Sequence, residues 1–333
     1  MTDTVRRPFA TGSSEGVAPV AAPGVIDPKI PAQYAAVLGN IRRVIMGKDE
    51  VIARLLWSVA AQGHVLFRDV PGVGKTMLAK AFAASVDCNF KRIQFTPDLL
   101  PMDVSGSNVF DMRSKTFQFQ AGPVFTNVLL ADEINRAPPK TQSALLEVME
   151  ERQVTVEGVT HKVELPFVTI ATMNPLEDEG TYALPAAQLD RFMMMLSVGY
   201  PPEEAEAKML EVHLGHAPAL AGISPVVTRA DVLAWQATVP NVYVSPEMRW
   251  YLVMALKAVR TDHRNLRSVS PRSTLQLARA CQARAMFAGR GYVTVEDVKI
   301  LAPDVLGHRV LTSDSGVGRE LVAQCLERVP APA

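Results

Sequence analysis

The chain is poor in the features that mark several common protein classes. Its 333 residues include only three cysteines, Cys88, Cys281 and Cys325, which are far apart and form no CxxC pair, so a disulfide scaffold is excluded. No run of 18 or more apolar residues occurs, and we therefore expect no membrane-spanning helix and no direct membrane insertion. These absences favour a reduced, cytoplasmic protein.

An excess of charge of one sign is also missing. The 34 basic and 34 acidic side chains cancel. Residues 31–200 carry 16 basic and 18 acidic residues, and residues 201–333 carry 15 and 13, so neither region is strongly basic. Proteins that bind nucleic acid usually have a basic domain or stripe. The bulk charge therefore gives no support to nucleic-acid binding.

What remains is the composition of a globular protein. Hydrophobic residues make up 48% of the chain and charged residues 20%, which is enough apolar surface to build an ordinary core. Residues 1–30 differ from the rest, because they are rich in Pro, Gly, Ala and Ser and show no periodicity. We expect a disordered N-terminal tail there.

Residues 31–200 alternate between helical and strand patterns. Apolar residues at helical spacing predict helices that include residues 34–45, 49–61 and 139–151. Short apolar runs at residues 65–67, 128–131 and 167–172, together with the patterns at residues 90–95 and 192–198, predict five strands. Because strands and helices alternate, this region is predicted to be an α/β fold with a doubly wound parallel sheet.

Two segments interrupt that alternation. Residues 109–110 and 116–120 flank a polar stretch, and residues 154–156 and 159–165 flank Glu157 and Gly158. Each pattern predicts a β-hairpin. Phe117 and Phe119 alternate along the first hairpin, where they could pack within the hairpin or contact a substrate, and packing is the favoured interpretation.

Residues 201–333 predict a small all-α domain. The strand signal stops after Pro201 and Pro202, and four or five helices are expected. Two serines followed by proline and two capping boxes mark helix starts, at Ser245, Ser270, Thr228–Asp231 and Thr294–Asp297.

A glycine-rich turn joins the predicted strand at 65–67 to a helix that opens at Lys75. Gly72 and Gly74 let the backbone curl so that its N–H groups point at phosphate oxygens, and the helix N-terminus adds positive potential. Lys75 can reach the β and γ phosphates, and the Thr76 hydroxyl can bind Mg²⁺. The strict form of this loop has glycine where Asp69 stands, and we interpret Asp69 as a residue that tolerates a left-handed backbone.

An acidic pair follows directly after the predicted strand at 128–131. Carboxylates at the C-terminal end of a parallel strand lie in the ligand crevice of an open α/β sheet. ATP hydrolysis needs one carboxylate near the hydrated metal and one that faces the attacking water. We assign Asp132 to the metal and Glu133 to the general base.

Three polar residues further along the chain could complete such a site. Asn174 follows the strand at 167–172 and could orient the water or contact the γ-phosphate. Arg191 precedes the last strand and could be supplied to a nucleotide of a neighbouring subunit. Arg272 lies in the first turn of a predicted helix, where a cation is unfavourable by about 0.3–1 kcal/mol, and this placement indicates an anion nearby.

The order and spacing of these motifs resemble the AAA+ ATPase superfamily and, more closely, its MoxR family. The resemblance covers about residues 33–310. The segments that carry it are residues 69–76, 94–101, 131–151, 171–175, 187–192 and 270–272.

The resemblance implies an AAA+ P-loop NTPase core followed by a helical lid. It identifies residues 97–123 as a helix-2 insert and residues 154–165 as a pre-sensor-1 hairpin. It also names roles for the polar residues: Lys75 and Thr76 in Walker A, Asp132 and Glu133 in Walker B, Asn174 as sensor 1, Arg191 as the arginine finger and Arg272 as sensor 2.

The ligands implied by the resemblance are ATP and Mg²⁺, with the metal held by Thr76 and Asp132. The catalytic set is Glu133, Asn174, Arg191 and Arg272. The nucleotide-binding set, in which Gly47 lies near the adenine, is Gly47, Pro71, Gly72, Val73, Gly74, Lys75, Thr76, Met77 and Asp132.

The resemblance further implies a homo-hexameric ring in which Arg191 acts on the nucleotide of a neighbouring subunit. It implies a chaperone-like role in maturing a client protein or inserting its metal or cofactor, with a von Willebrand factor A (VWA) domain partner. The sequence does not identify the client.

Several other functions are compatible with parts of this pattern. The motor subunit of a metal chelatase shares the same inserts, and a nucleic-acid motor is disfavoured by the flat charge distribution. A sigma-factor activator is disfavoured because no Gly-Ala-Phe-Thr-Gly-Ala loop occurs in the insert. A binder that does not hydrolyse ATP is disfavoured by the full set of Lys75, Asp132 and Glu133.

Overall fold

The structure is a computed structural model that describes residues 24–174, 181–214, 220, 222–262, 269–310 and 315–332. The part of the predicted tail that precedes residue 24 lies outside these residues. No helix among the described residues is long and apolar enough to cross a membrane.

A five-stranded parallel sheet forms the centre of the core, as predicted. Its strands lie in the order β2-β5-β8-β1-β9, and every neighbouring pair is parallel. The five strands are β1 (Val65–Arg68), β2 (Phe90–Gln94), β5 (Val128–Asp132), β8 (Val168–Met173) and β9 (Met194–Leu196).

Helices cover both faces of this sheet because alternate side chains along each central strand point to opposite faces. In β5, Val128 and Leu130 join one apolar cluster, whereas Leu129 and Ala131 join another. The first cluster includes residues of α1 (Lys29–Arg42), α2 (Asp49–Ala60) and α3 (Lys75–Ser85). The second includes residues of α5 (Pro139–Glu151).

The two predicted hairpins are present and contact each other. The first consists of β3 (Gly106–Asp111) and β4 (Thr116–Ala121), which follow the short helix α4 (Pro101–Ser105). The second consists of β6 (Gln153–Val156) and β7 (Val159–Lys162). Phe119 stacks on His161 of the second hairpin with 3.8 Å between ring centroids, whereas Phe117 is 69% exposed.

Most of the remaining regular structure of the described chain is helical. A short helix, α6 (Ala186–Leu189), precedes β9. Where four or five helices were expected after residue 200, the described residues contain six. They are α7 (Glu203–Leu214), α8 (Arg229–Thr238), α9 (Pro246–Thr261), α10 (Pro271–Phe287), α11 (Val295–Leu306) and α12 (Ser315–Glu327).

The predicted caps are present at three of the four helix starts. Both capping boxes form, and the Ser245 hydroxyl accepts a hydrogen bond from Met248 N at 3.1 Å. Ser270 is the exception: it precedes α10, but its hydroxyl makes no cap and donates to Asp190 Oδ2 at 2.8 Å. Ser270 therefore stands at the N-cap position with Pro271 in the first turn, as predicted, but it lacks the side-chain hydrogen bond of a cap and its hydroxyl is turned toward Asp190.

The helical region packs directly on the core. Phe287 of α10 stacks on Tyr34 of α1 with 4.7 Å between ring centroids, and it meets Trp235 of α8 edge-on at 5.2 Å. All three side chains contribute to one apolar cluster that continues into the sheet. The two regions therefore share a continuous apolar interior in this structure.

Candidate nucleotide site

The turn between β1 and α3 has the backbone shape of a phosphate-binding loop. Gly72 and Gly74 have φ angles of 86° and 94°, a left-handed conformation that costs glycine little. A Cβ at either position would meet no atom within 4 Å, so the requirement for glycine lies in the backbone angle and not in crowding. Gly74 directly precedes α3, whose first N–H groups are available for an anion.

Asp69 has a different role from the one expected. It is not among the residues with positive φ, so tolerance of a left-handed backbone does not explain it. Its carboxylate accepts hydrogen bonds from Val198 N at 2.5 Å, Gly199 N at 3.2 Å and Ser197 Oγ at 2.7 Å. Asp69 thereby ties the start of the loop to the chain that leaves β9.

Lys75 lies half-buried at the base of the loop. Its Nζ donates to the backbone oxygens of Asp69, at 2.8 Å, and Val70, at 3.2 Å. Burial lowers the pKa of Lys75, while the negative charges of Asp69, Asp132 and Glu133 act in the opposite direction. An added phosphate would favour the charged amine further.

Asp132 is buried at the C-terminal end of β5. Its Oδ2 accepts a hydrogen bond from Arg92 Nη2 at 2.7 Å, and its Oδ1 accepts one from Thr172 Oγ1 at 2.6 Å. These contacts fix the orientation of the carboxylate from the two neighbouring strands, β2 and β8.

Glu133 turns away from the direction of the strand. Its φ of 55° is left-handed, and its backbone N donates to Thr172 Oγ1 at 2.8 Å. Its side-chain Oε2 accepts hydrogen bonds from Gln94 Nε2 at 2.6 Å and from Arg136 Nη1 at 2.9 Å. The adjacent carboxylates of Asp132 and Glu133 thus point in different directions. Such an arrangement is needed where one carboxylate binds the metal and the other faces the attacking water.

These side chains line one cleft of about 390 Å³. Nine predicted residues contribute to it: Pro71, Gly72, Gly74, Lys75, Thr76, Met77, Asp132, Glu133 and Asn174. Val73, also predicted, packs against the apolar core instead. Four lining residues were not predicted, namely Lys80, Arg92, Gln94 and Thr172. The sequence offered one signal for Arg92 and Gln94: they stand two residues apart in a predicted strand, so their side chains share a face of the sheet.

Gly47 lies in a different pocket, beside the start of α7. That pocket also includes Pro202 and Ala205. The φ of Gly47 is 69°, and a Cβ there would lie 2.9 Å from Cδ of Pro202. The close approach of the two chain segments therefore explains the glycine without a nucleotide.

Arg191 and Arg272 lie together and do not line the P-loop cleft. Both bind the carboxylate of Glu150: Arg191 Nη2 is 3.3 Å from Oε2, and Arg272 Nη2 contacts Oε1. The anion that the position of Arg272 suggested is thus a side chain of the same subunit.

The turn that carries Arg191 is anchored to the lid. The carboxylate of Asp190 accepts hydrogen bonds from Arg309 Nε at 2.7 Å and from the hydroxyls of Ser270 and Ser273. The Arg309 side chain is 2% exposed. The two hydroxyls therefore tie the turn that carries Arg191 to the start of α10, the helix that carries Arg272, and the ion pair ties it to the segment after α11.

Two family models match the chain. One, described as an ATPase family associated with various cellular activities (AAA), matches residues 64–194, and the other, an AAA lid domain, matches residues 259–324. The first match includes the glycine-rich turn between β1 and α3 and the carboxylates of Asp132 and Glu133.

Several proteins resemble the chain over most of its length. YeaC of Bacillus subtilis is 43% identical, with 87% of this chain and 90% of that protein covered. The chaperone MoxR1 of Mycobacterium tuberculosis is 41% identical, with 83% and 75% covered. The crystal structure of a candidate ATPase from Cytophaga hutchinsonii has a TM-score of 0.83 and 35% identity, with 92% and 96% covered.

Proposed function

Because the chain belongs to the MoxR family of AAA+ ATPases, we propose that it hydrolyses Mg²⁺-ATP in the P-loop cleft and uses that energy to remodel a client protein. Membership of the AAA+ family implies nucleotide binding and ATP hydrolysis in general terms. The particular residues, the metal, the assembly and the client are the content of the proposal.

The observation that carries the proposal is the convergence of separate segments on one cleft. Lys75 and Thr76 come from the start of α3, Asp132 ends β5 and Glu133 follows it, and Asn174 follows β8. A glycine-rich turn alone, or an acidic turn alone, also occurs in proteins that bind no nucleotide. The two together with Asn174 provide a phosphate cradle, a metal ligand and a base.

The donor set of the cleft suits magnesium. Thr76 offers a hydroxyl and Asp132 a carboxylate, both hard oxygen ligands of the kind that Mg²⁺ uses together with phosphates and water. These two residues would hold the metal, which neutralises the charge that develops between the β and γ phosphates. Arg92 would keep the Asp132 carboxylate in place, as it does in this structure.

Glu133 is the group that we propose removes the proton from water. The side-chain hydrogen bonds that Glu133 accepts from described residues, Gln94 and Arg136, fall on Oε2, and we assign proton transfer to Oε1. Asn174 would orient the same water or contact the γ-phosphate from β8. Lys75 would leave the backbone oxygens of the loop for the phosphates.

Arg191 and Arg272 serve the neighbouring subunit in this proposal. They lie in a separate pocket from the P-loop residues of their own chain, so a nucleotide at a subunit boundary is the site that they could reach. A homo-hexameric ring provides such a boundary at every subunit. An arginine supplied in this way contributes about 10³–10⁵ in rate.

The biological role that we propose follows from the family. One relative is named as a chaperone, and we extend that role to this chain as maturation, metal or cofactor insertion, or assembly of a client. A VWA-domain protein is the partner that we expect.

Replacing Glu133 with Gln tests the catalytic assignment. The isosteric amide cannot accept the proton, so turnover should fall at least about 100-fold while ATP still binds. Lys75→Ala is the matched control, because it should lose ATP binding as well. Equilibrium binding of a fluorescent ATP analogue and phosphate release measure the two properties. Undiminished turnover in Glu133→Gln contradicts the assignment. Because this variant should bind ATP without hydrolysing it, it is also suited to capture the client and the partner.

A further inference from the structure

A second pocket has a volume of about 440 Å³, and none of the residues that line it also lines the P-loop cleft. It is bounded by the C-terminal end of α5, the turn before β9 and the first turns of α10. Four guanidinium groups line it, from Arg152, Arg191, Arg272 and Arg279, and Glu150 is the carboxylate among the lining residues. The lining therefore has an excess of positive charge.

Glu150 divides its two oxygens between two arginines. Arg191 Nη2 is 3.3 Å from Oε2, and Arg272 Nη2 bonds Oε1. The Arg191 guanidinium also donates to the backbone oxygen of Leu146, one turn earlier on α5. Both arginines are thus held against the end of α5 by one side chain.

The remaining arginines make the pocket attractive to a further anion. Burial lowers the pKa of Arg152, and no opposing charge contributes to that shift. Arg279 bonds a neutral partner, Gln282 Oε1, at 3.1 Å. Arg152 is half-buried and Arg279 is exposed, and among the described residues neither has a carboxylate partner, so both favour the binding of an anion.

We propose that Glu150 is an internal counter-ion that competes with the neighbouring subunit's nucleotide phosphates for Arg191 and Arg272. This inference rests on the proposed function, in which those arginines act across the subunit boundary. Carboxylates and phosphates both bind the N–H edge of a guanidinium, and both can do so in a bidentate geometry. A phosphate and Glu150 therefore cannot both use the full donor set of either arginine.

The competition has a direction. In the separate subunit, Glu150 offsets part of the positive charge of the two arginines and holds them against α5. In the ring, a carboxylate left beside a triphosphate would repel it, so ATP-dependent association must first exchange Glu150 for phosphate. Glu150 thereby raises the protein concentration at which the ATP-bound ring forms, and it does not contribute to the chemical step.

The test is the pair of variants Glu150→Gln and Glu151→Gln. Glu151 is the adjacent, exposed residue at the end of α5, so it controls for the loss of one negative charge. ATPase activity is measured against protein concentration, and ATP-dependent association is measured by sedimentation velocity.

Glu150→Gln should lower the midpoint concentration of activity and of association about threefold to tenfold, the size expected for two partly exposed ion pairs. Its turnover at saturating protein concentration should match that of the unaltered chain, and Glu151→Gln should leave the midpoint unchanged. An unchanged or raised midpoint in Glu150→Gln, or a lower saturating turnover, overturns the competition and makes Glu150 a structural support for the arginines.

Arg191→Ala separates this failure from failure of the proposed function. If Arg191→Ala keeps full hydrolysis, the role of Arg191 itself is wrong, whatever Glu150→Gln does. If Arg191→Ala loses hydrolysis while Glu150→Gln shows no shift, only the competition is wrong.

Discussion

His64 shows how the packing of a single side chain sets a chemical property. It lies just before β1 and is buried between α5 and β8. Its Nε2 donates to the backbone oxygen of Met149 at 3.0 Å, and its Nδ1 accepts a hydrogen bond from Thr169 N at 2.9 Å. Only the neutral ring can do both, because a protonated ring has no acceptor.

This arrangement predicts a loss of stability in mild acid. Burial lowers the pKa of His64 to about 4 from 6.5, with the nearby charge of Arg152 acting in the same direction and the bond to Met149 opposing it. The unfolded chain therefore binds the proton first as the pH falls. The contribution of neutral His64 to the free energy of unfolding is largely present above about pH 6.5 and is lost as the pH falls toward 4. Between pH 7 and pH 5 the free energy of unfolding should fall by about 2 kcal/mol.

Chemical denaturation at pH 7 and pH 5 measures that difference. His308 is also buried, with its pKa lowered by burial, so the comparison must be made between variants and not on one protein. His64→Gln should lose about 2 kcal/mol of the pH dependence, whereas His161→Gln, on the second hairpin, should keep it. An equal pH dependence in all three proteins would show that His64 is not the group responsible.

Some residues of the candidate site could be predicted from the sequence, and others could not. Lys75, Thr76, Asp132 and Glu133 stand in short motifs, and their spacing along the chain is enough to propose roles for them. Arg92 and Gln94 meet those carboxylates only because β2 lies beside β5 in the sheet. Strand order is a property of the whole fold, so no local pattern could assign these two residues as partners of Asp132 and Glu133.

The two hairpins act as one element joined by aromatic contacts. Phe119 stacks on His161 and also meets Phe125 edge-on at 5.5 Å. Asn108 of the first hairpin donates to Glu157 of the second at 2.8 Å. Phe117, two residues before Phe119, instead pairs with Phe110 on the exposed part of the first hairpin.

Alanine at these two positions should therefore have different effects. Phe119→Ala removes the stacked pair between the hairpins, and aromatic pairs contribute about 0.5–1.5 kcal/mol beyond their burial. Amide hydrogen exchange should become about twofold to tenfold faster in both hairpins of Phe119→Ala and stay unchanged in the second hairpin of Phe117→Ala. Equal acceleration of the second hairpin in both variants would show that the Phe119–His161 stack does not couple the hairpins.

Elements with strong local signals were predicted well, and weak ones were not. All five sheet strands overlap the segments where they were predicted, and the signal was strongest in the central strands β5 and β8, since buried parallel strands need apolar side chains on both faces. Neither α7 nor α12 carries one of the predicted start signals, and in α7 most of the side chains from residue 203 to 210 are exposed, which leaves little apolar periodicity. Ser270 shows a similar limit: a distant carboxylate, Asp190, decided where its hydroxyl points.

At the scale of the whole molecule, the P-loop cleft and the pocket that holds Arg191 and Arg272 are separate. We propose that these two arginines act on phosphates. One subunit carries Lys75, Thr76, Asp132 and Glu133 in one cleft, and Arg191 and Arg272 in another pocket. The link between Asp190 and Arg309 fixes that second pocket to the lid. A complete site then requires two subunits, which is why the proposal depends on assembly.

The most direct test of a site shared between subunits is complementation between two inactive variants, Glu133→Gln and Arg191→Ala, co-expressed in one cell. Each alone should be nearly inactive. In a randomly mixed ring, about one quarter of the boundaries join an intact Glu133 to an intact Arg191 of the next subunit, so ATP hydrolysis should reappear. Recovery of activity in the mixture is the predicted result, and a mixture as inactive as its two components would contradict a shared site.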